Sequence, residues 1–254
     1  MQAAIGIDIG STCAKAVVLN ENGEFLFRLA QPTGWSSVDT AESLRRALCE
    51  AGYDPASFPC VATGYGRVAV PYAKKTVTEI TCHARGARHL FGREDLTVID
   101  IGGQDTKIIA VRQGAVEEFL MNDKCSAGTG RFLEVMSNTL ALRPDELCDL
   151  ARQGGGTSIS SMCTVFAESE VISLIGKGEK RENIAFAVVE SVVQKVASQA
   201  GKLPTSGDFC LTGGLSQCPY VREALSAALN APVSACEEGR FAGAAGAALL
   251  ALKL

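Results

Sequence analysis

The sequence predicts an α/β protein of two similar domains around a shared cleft, and three observations lead there. Asp8-Ile9-Gly10-Ser11-Thr12-Cys13-Ala14-Lys15 and Asp100-Ile101-Gly102-Gly103-Gln104-Asp105-Thr106-Lys107 share one frame, D-I-G-x-x-x-x-K. Each copy lies between the first two strands of a three-strand meander whose second turn contains glycine, so the match reads as an internal duplication. After each meander, segments of helical periodicity alternate with short apolar strands, the pattern of an α/β fold.

In order, Ala3 to Gly10 is a first strand, Ala14 to Leu19 a second and Glu24 to Leu29 a third, the last two joined at Asn22-Gly23, a strong hairpin signal. Asp39 to Ala51 is helical, with Ala41, Leu44, Leu48 and Ala51 on one face and Gly52 as a stop. Cys60 to Thr63 is a short strand ending at Gly64-Tyr65-Gly66-Arg67, and Val77 to Phe91 a helix carrying His83 and His89. The pattern then restarts: Leu96 to Gly102, Thr106 to Val111 and Ala115 to Met121 are strands, turning at Gly103-Gln104-Asp105 and Gln113-Gly114. Helical spacing follows at Phe132, Leu133, Met136 and Leu140, and again over Pro144 to Arg152. Ile159 to Phe166 reads as an extended piece, Glu168 to Ile175 as a helix, and Arg181 to Leu203 as the longest helix, stepping by four from Ile184 to Ala200. Asp208 to Leu211 is a strand ending in Thr212-Gly213-Gly214, followed by a helix at Tyr220 to Leu229, a strand near Val233 and a Gly/Ala-rich helix. The expected division is residues 1–93 as the first domain and 94–239 as the second, with the final helix, about 240–254, packing back on the first.

Composition is that of an ordinary globular chain: 254 residues, 47% hydrophobic and 20% charged, enough to bury a core without disulfides. A net charge of −4 without a basic run argues against a nucleic-acid partner. No apolar stretch reaches the length of a membrane span, so no membrane partner is expected. The ten cysteines form no C-x₂-C pairs, and with no export signal the expected compartment is the reducing cytoplasm.

Two kinds of chemistry stand out. Each Asp-Ile-Gly turn offers backbone N–H groups to phosphate oxygens and places a carboxylate, Asp8 or Asp100, where it would hold Mg²⁺ directly or through water. Lys15 is spaced to return its ammonium to the phosphates, and Thr212-Gly213-Gly214 suits an adenosine contact. No P-loop is present. The second kind is thiolate chemistry. In Met121-Asn122-Asp123-Lys124-Cys125-Ser126-Ala127-Gly128-Thr129-Gly130-Arg131-Phe132, Cys125 stands between a strand and a helix, facing the positive helix end that favours the metal-binding thiolate. Cys163 is a comparable cysteine 38 residues on. From its own stretch, Cys125 is equally readable as a small buried hydrophobe.

These residues carry a resemblance. The two turns and Leu211-Thr212-Gly213-Gly214 resemble the phosphate and adenosine motifs of the superfamily of acetate and sugar kinases, heat-shock chaperones and actin, a duplicated ribonuclease H-like, actin-like fold with an interdomain nucleotide cleft. Val98 to Lys107, Met121 to Glu134, Ser161 to Leu174, Ile80 to Ala87 and Gly239 to Leu249 resemble the ATP-dependent activators of 2-hydroxyacyl-CoA dehydratases and their benzoyl-CoA reductase relatives over nearly the whole chain. The resemblance implies a homodimer in which Cys125 and Cys163 of each subunit hold one [4Fe–4S] cluster. A cubane of four thiolates fits two per chain doubled by a two-fold axis. It implies ATP or ADP with Mg²⁺ on Asp8, Asp100, Gly10, Ser11, Thr12, Cys13, Lys15, Gly102, Gly103, Gln104, Thr212, Gly213 and Gly214. It also implies a ferredoxin or flavodoxin donor and a dehydratase, double-cubane or benzoyl-CoA reductase partner.

Cys13 departs from the family, where threonine is common. Gln104 can orient water but not take its proton, which suits a timed ATPase better than a kinase, although Asp105 keeps a carboxylate nearby. Two alternatives stand beside this reading: a small-molecule kinase of the same superfamily, and a nucleotide-switched binding module with incidental cysteines. His83 is expected on a helix surface or in a core, Arg85 and Arg88 at an interface, and Glu168 and Glu170 as solvated or intersubunit groups.

Overall fold

The structure, a computed structural model, describes residues 3–160, 163–204 and 207–254. β1 (Ala3–Ile9) is buried at every position and pairs antiparallel with β2 (Cys13–Asn20), which pairs antiparallel with β3 (Phe25–Pro32). α1 (Ser37–Glu50) starts at Ser36, whose hydroxyl accepts the Asp39 N–H, and buries Ala41, Leu44 and Leu48 against this sheet. β4 (Cys60–Thr63) adds in parallel to β1, and β5 (Lys75–Thr76) to β4. That two-residue β5 has no sequence signal, and it delays the next helix, α2 (Glu79–Phe91), two residues beyond the expected start.

The second half opens with β6 (Leu96–Ile101), β7 (Thr106–Arg112) and β8 (Ala115–Asn122), again an antiparallel meander. Helices α3 (Gly130–Thr139), α4 (Pro144–Ala151), α5 (Thr164–Gly176) and α6 (Arg181–Ala200) follow. Then come β9 (Phe209–Gly213), α7 (Pro219–Leu229), β10 (Val233–Ser234) and α8 (Ala242–Ala251). The first sheet runs β3-β2-β1-β4-β5 and the second β8-β7-β6-β9-β10, so the two orders are equivalent. The equivalence reaches single residues: Asp8 lies opposite Lys15 and beside Thr63, while Asp100 lies opposite Lys107 and beside Thr212.

The expected extended piece at Ile159 to Phe166 is corrected. Cys163, with extended backbone, is the N-cap of α5, so Val165 and Phe166 are helical. The run Val165-Phe166-Ala167 satisfies a helix as readily as a strand, and the short-run ambiguity resolves toward helix here. Ser161 and Met162, at the head of the Ser161 to Leu174 motif, lie outside the described residues.

The largest core lies on one face of the second sheet, where Ile99, Ile101 and Ile108 meet Phe132, Leu133, Met136, Val188, Val192 and Val196. Two helices pack on the remaining faces. Ala84 and Ala87 of α2 cover Leu96, Val98, Ile109 and Val111 of the second sheet. Ala244 and Ala248 of α8 cover Val17 and Leu19 of the first, and Ala247 and Ala251 join Ala4 and Val61. Where α2 and α8 meet, a Cβ on Gly86 would stand 1.9 Å from the Ala242 carbonyl oxygen and one on Gly246 1.8 Å from that of Cys82. The backbones approach this closely only because both positions lack a side chain.

Candidate functional site

The ends of β1 and β6 meet across a cleft lined by Asp8, Thr12, Cys13, Lys15, Asp100, Gly102, Gly103, Gly213 and Gly214, with Glu79, His83, Lys107 and Arg240 added. The two turns are built alike: the Gly10 N–H donates to the Cys13 carbonyl at 3.2 Å and the Gly102 N–H to that of Asp105 at 2.9 Å. They touch, since a Cβ on Gly103 would stand 2.0 Å from Thr12 Oγ1. Behind them, a Cβ on Gly64 would meet Asp8 Oδ1 at 2.7 Å and one on Gly213 would meet Asp100 Oδ1 at 3.1 Å. Both glycines have positive φ, +91° and +84°, so the strand ends carry matching left-handed turns. The Gly64 turn is thus the structural counterpart of Thr212-Gly213, a symmetry that two unlike flanking sequences conceal.

Of the expected nucleotide residues, Thr12, Cys13, Lys15, Gly102, Gly103, Gly213 and Gly214 line the cleft. Thr212 stands behind it, its hydroxyl donating to Asp100 Oδ1 at 2.8 Å. Gly10 and Ser11 are half-buried in the first turn, and Gln104 is exposed at the tip of the second. Asp105 is buried and its Oδ2 lies 2.8 Å from Lys107 Nζ, an ion pair that occupies the carboxylate.

The duplicated lysines differ. Lys107 is 3% exposed and reaches Asp105, Glu79 at 3.0 Å and Asp100 at 3.5 Å. Lys15 is 16% exposed and, among the described residues, pairs with Asp8 alone, at 3.6 Å. Burial works against the charge of both, yet the carboxylates outweigh it and raise both pKa values. Burial would likewise raise Asp100, but His83, Lys107, the Thr212 hydroxyl and Lys15 hold it down to about 2.

Three further residues line the cleft: His83 and Arg240, from the Ile80 to Ala87 and Gly239 to Leu249 stretches, and Glu79. His83 projects from α2 with Nδ1 3.3 Å from Asp100 Oδ1, so its place is the cleft floor rather than a helix surface or a plain core. Glu79 is the second partner of Lys107. Arg240, from the 3₁₀ turn before α8, brings Nη2 to 4.0 Å from Cys13 Sγ. Its Nε is buried without a hydrogen-bond partner, and among the described residues no carboxylate lies within ion-pair distance of it. Only the tertiary fold brings these three to the cleft. Within the chain, Arg88 donates to the Gly114 carbonyl and pairs with Glu94.

The two cysteines share one surface. Cys163 caps α5 directly. Cys125 does not cap α3; that place belongs to Thr129, because Gly128 at φ +85° inserts a tight turn after Ser126. The residues next to the cysteines join them, with Ser126 Oγ and Thr164 Oγ1 2.5 Å apart. Asn122 Nδ2 donates to the carbonyls of Cys125 and Ala127, each at 2.9 Å, and fixes the loop. Both cysteines are exposed. The loop also reaches the cleft: Gly130 N–H donates to the Gly102 carbonyl at 2.9 Å and Arg131 N–H to that of Gly103 at 2.7 Å. Glu168 accepts from Thr139 Oγ1 at 3.1 Å, and Glu170 accepts from the Ser160 N–H at the same distance, so both have partners within the chain.

These residues fit the groups that the sequence implied. Two buried carboxylates against side-chain-free strand ends, beside a half-open lysine and an arginine without a carboxylate partner, suit a phosphate chain with a divalent cation. Cys125 and Cys163, both exposed and joined through Ser126 and Thr164, are of the donor type that a four-thiolate cluster takes. No helix among the described residues is long and apolar enough to cross a membrane.

The (R)-2-hydroxyglutaryl-CoA dehydratase activating ATPase of Acidaminococcus fermentans is 40% identical over 252 residues, 98% of this chain and 96% of its own. The activator of the 2-hydroxyisocaproyl-CoA dehydratase from Clostridium difficile, solved with bound ADPNP, superposes with a TM-score of 0.92 at 34% identity, covering 99% of this chain and 95% of that one. A ROK family glucokinase from Streptomyces griseus shares the fold at a TM-score of 0.65 and 17% identity over 99% of this chain and all of its own, which places the duplicated sheets in the actin-like class. The model of the BadF/BadG/BcrA/BcrD ATPase family matches residues 5–251, and the chain belongs to that family.

Proposed function

We propose that the protein is a homodimeric [4Fe–4S] ATPase that couples ATP binding and hydrolysis to electron delivery from a ferredoxin or flavodoxin to a 2-hydroxyacyl-CoA dehydratase or related iron–sulfur reductase. The observation that carries this reading is the pair of hydrogen bonds from Gly130 and Arg131 to the Gly102 and Gly103 carbonyls. They tie a phosphate-type turn to the cysteine loop, with four residues between Cys125 and Gly130, and this is the route by which a change at one would reach the other.

Gly10 to Cys13 and Gly102 to Gln104 would hold the phosphates, Lys15 and Arg240 would neutralise them, Asp8 and Asp100 would hold Mg²⁺, and Thr212 to Gly214 would meet the adenosine. Because Asp105 is engaged by Lys107, Gln104 is the side chain left at the second turn to orient the attacking water. Cys125 and Cys163, with their counterparts in a second copy, would ligate the cluster, which supplies one-electron chemistry when bound. The N-terminus of α5 at Cys163 offsets negative charge there. Val165 and Phe166, 67% and 68% exposed on the first turn of α5, support a protein surface meeting this face. The two-state element in this reading is the cleft between the sheets, biased by differential nucleotide affinity.

Anaerobic purification followed by iron analysis and a turnover assay tests the proposal. A brown dimer with about four irons is expected, losing iron and dehydratase activation, but not its fold, in Cys125→Ser or Cys163→Ser. A colourless protein whose activation of a dehydratase survives both replacements would overturn it. Nucleotide turnover stimulated by a sugar or a carboxylic acid would point to a kinase instead.

A further inference from the structure

Away from the exposed cysteines, two others meet beneath the Gly213-Gly214 turn. Cys148 is buried on α4, and Cys218 is half-buried at the N-cap of α7. Both cysteines line one cavity, together with Pro144, Asp145, Asp149, Gly214 and Leu215. Gly214 and Leu215 also line the nucleotide cleft, so the cavity and the cleft share a wall.

We propose that Cys148 and Cys218 are a thiol–disulfide redox couple in the wall of the nucleotide-base pocket, closed by low-molecular-weight disulfides and opened by thiols. The placement in a base pocket rests on the reading of Thr212 to Gly214 as the adenosine contact; the redox couple itself does not. Cys218 is the attacking sulfur. A side-chain hydrogen bond from Cys148 holds it below the usual thiol range against the opposing effect of burial, with help from the Val221 and Tyr220 N–H groups of α7. Cys148, which gives that hydrogen bond and is buried, is pushed up and serves as the resolving thiol.

The Cys218 thiolate attacks one sulfur of the disulfide RSSR, its S–S bond breaks, and RS⁻ leaves to take a proton. Cys148 then loses its proton, attacks the Cys218 sulfur of the mixed disulfide and expels the second RS⁻, which is protonated in turn. Two protein thiols are oxidised to one disulfide and RSSR is reduced to two RSH. Asp145 and Asp149 favour a neutral disulfide over an anionic one.

The test treats the anaerobic, cluster-containing protein with bis(2-hydroxyethyl) disulfide and maps the alkylated peptides. The expected result is a Cys148–Cys218 linkage, reversed by dithiothreitol, formed before any at Cys49 or Cys236. In Cys148→Ser the mixed disulfide should persist on Cys218, and in Cys218→Ser neither product should form. Linkage elsewhere first, or a mixed disulfide on Cys218 that persists in the wild type, overturns the proposal. ADP at about a hundred times its dissociation constant should slow closure about a hundredfold if the two exclude each other. Closure unaffected by ADP would remove the base-pocket placement and leave the couple standing.

Discussion

Replacing each of the two duplicated lysines by methionine should separate scaffold from site. Lys107 is 3% exposed and is the counter-ion of Asp105, Glu79 and Asp100. Removing it leaves three carboxylates facing one another in a buried pocket, a loss of the kind that costs about 3–5 kcal/mol. Lys15 answers one carboxylate at 3.6 Å and keeps 16% of its side chain exposed, so its loss should cost nearer to about 1 kcal/mol. Nucleotide affinity should fall the other way. Lys15→Met removes a cation facing the cleft and should weaken ATP binding by about 10- to 100-fold, the equivalent of one charge-assisted hydrogen bond. Urea unfolding followed by circular dichroism gives the stabilities, and calorimetric titration the affinities. Equal destabilisation by the two replacements, or a Lys107→Met protein within about 1 kcal/mol of the wild type, would refute the assignment of Lys107 as the scaffold lysine.

Arg240→Gln should weaken ATP and ADP binding about tenfold or more while leaving adenosine affinity unchanged, measured by titration with each ligand. Gly246→Ala should destabilise by about 2 kcal/mol or more, because the new methyl meets the Cys82 carbonyl and α2 must move away from α8; denaturant midpoints check this. The ionised Asp100 adds stability in full above about pH 4. As pH falls from its ordinary 3.8 toward about 2, the unfolded chain takes up a proton that the folded chain refuses. Stability should therefore drop by about 2–3 kcal/mol across that window, and the drop should shrink in Thr212→Val, which lacks the supporting hydroxyl; acid titration of the unfolding midpoint reads it.

The duplicated architecture was legible because it rests on local periodicity. Strand alternation, glycine turns and the repeated D-I-G-x-x-x-x-K frame each lie within a few residues of chain, and the two sheets show the equivalence strand for strand. The first turn of the helix that starts at Thr164 was not legible, since whether Val165 and Phe166 extend or coil depends on Cys163 taking the N-cap backbone conformation and on Ser126 meeting Thr164 across the loop. Glycines such as Gly86 and Gly246 announce close packing in sequence, but not which backbone they face.

By itself the sequence determined the fold class, the pairing of Asp8 with Asp100 and the two cysteine loops, because each is written in short-range spacing. Tertiary structure alone decided how those parts communicate and which residues are occupied. Lys107 became a buried counter-ion while its duplicate stayed half-open, since only the second turn has Asp105 and the Glu79 of a helix from the other half beside it. His83 and Arg240 entered the cleft because α2 and the turn before α8 pass between the sheets. The link from the phosphate-type turn to Cys125 consists of two backbone hydrogen bonds, and any residue with an N–H can make those. Their placement is a property of the fold, not of the side chains.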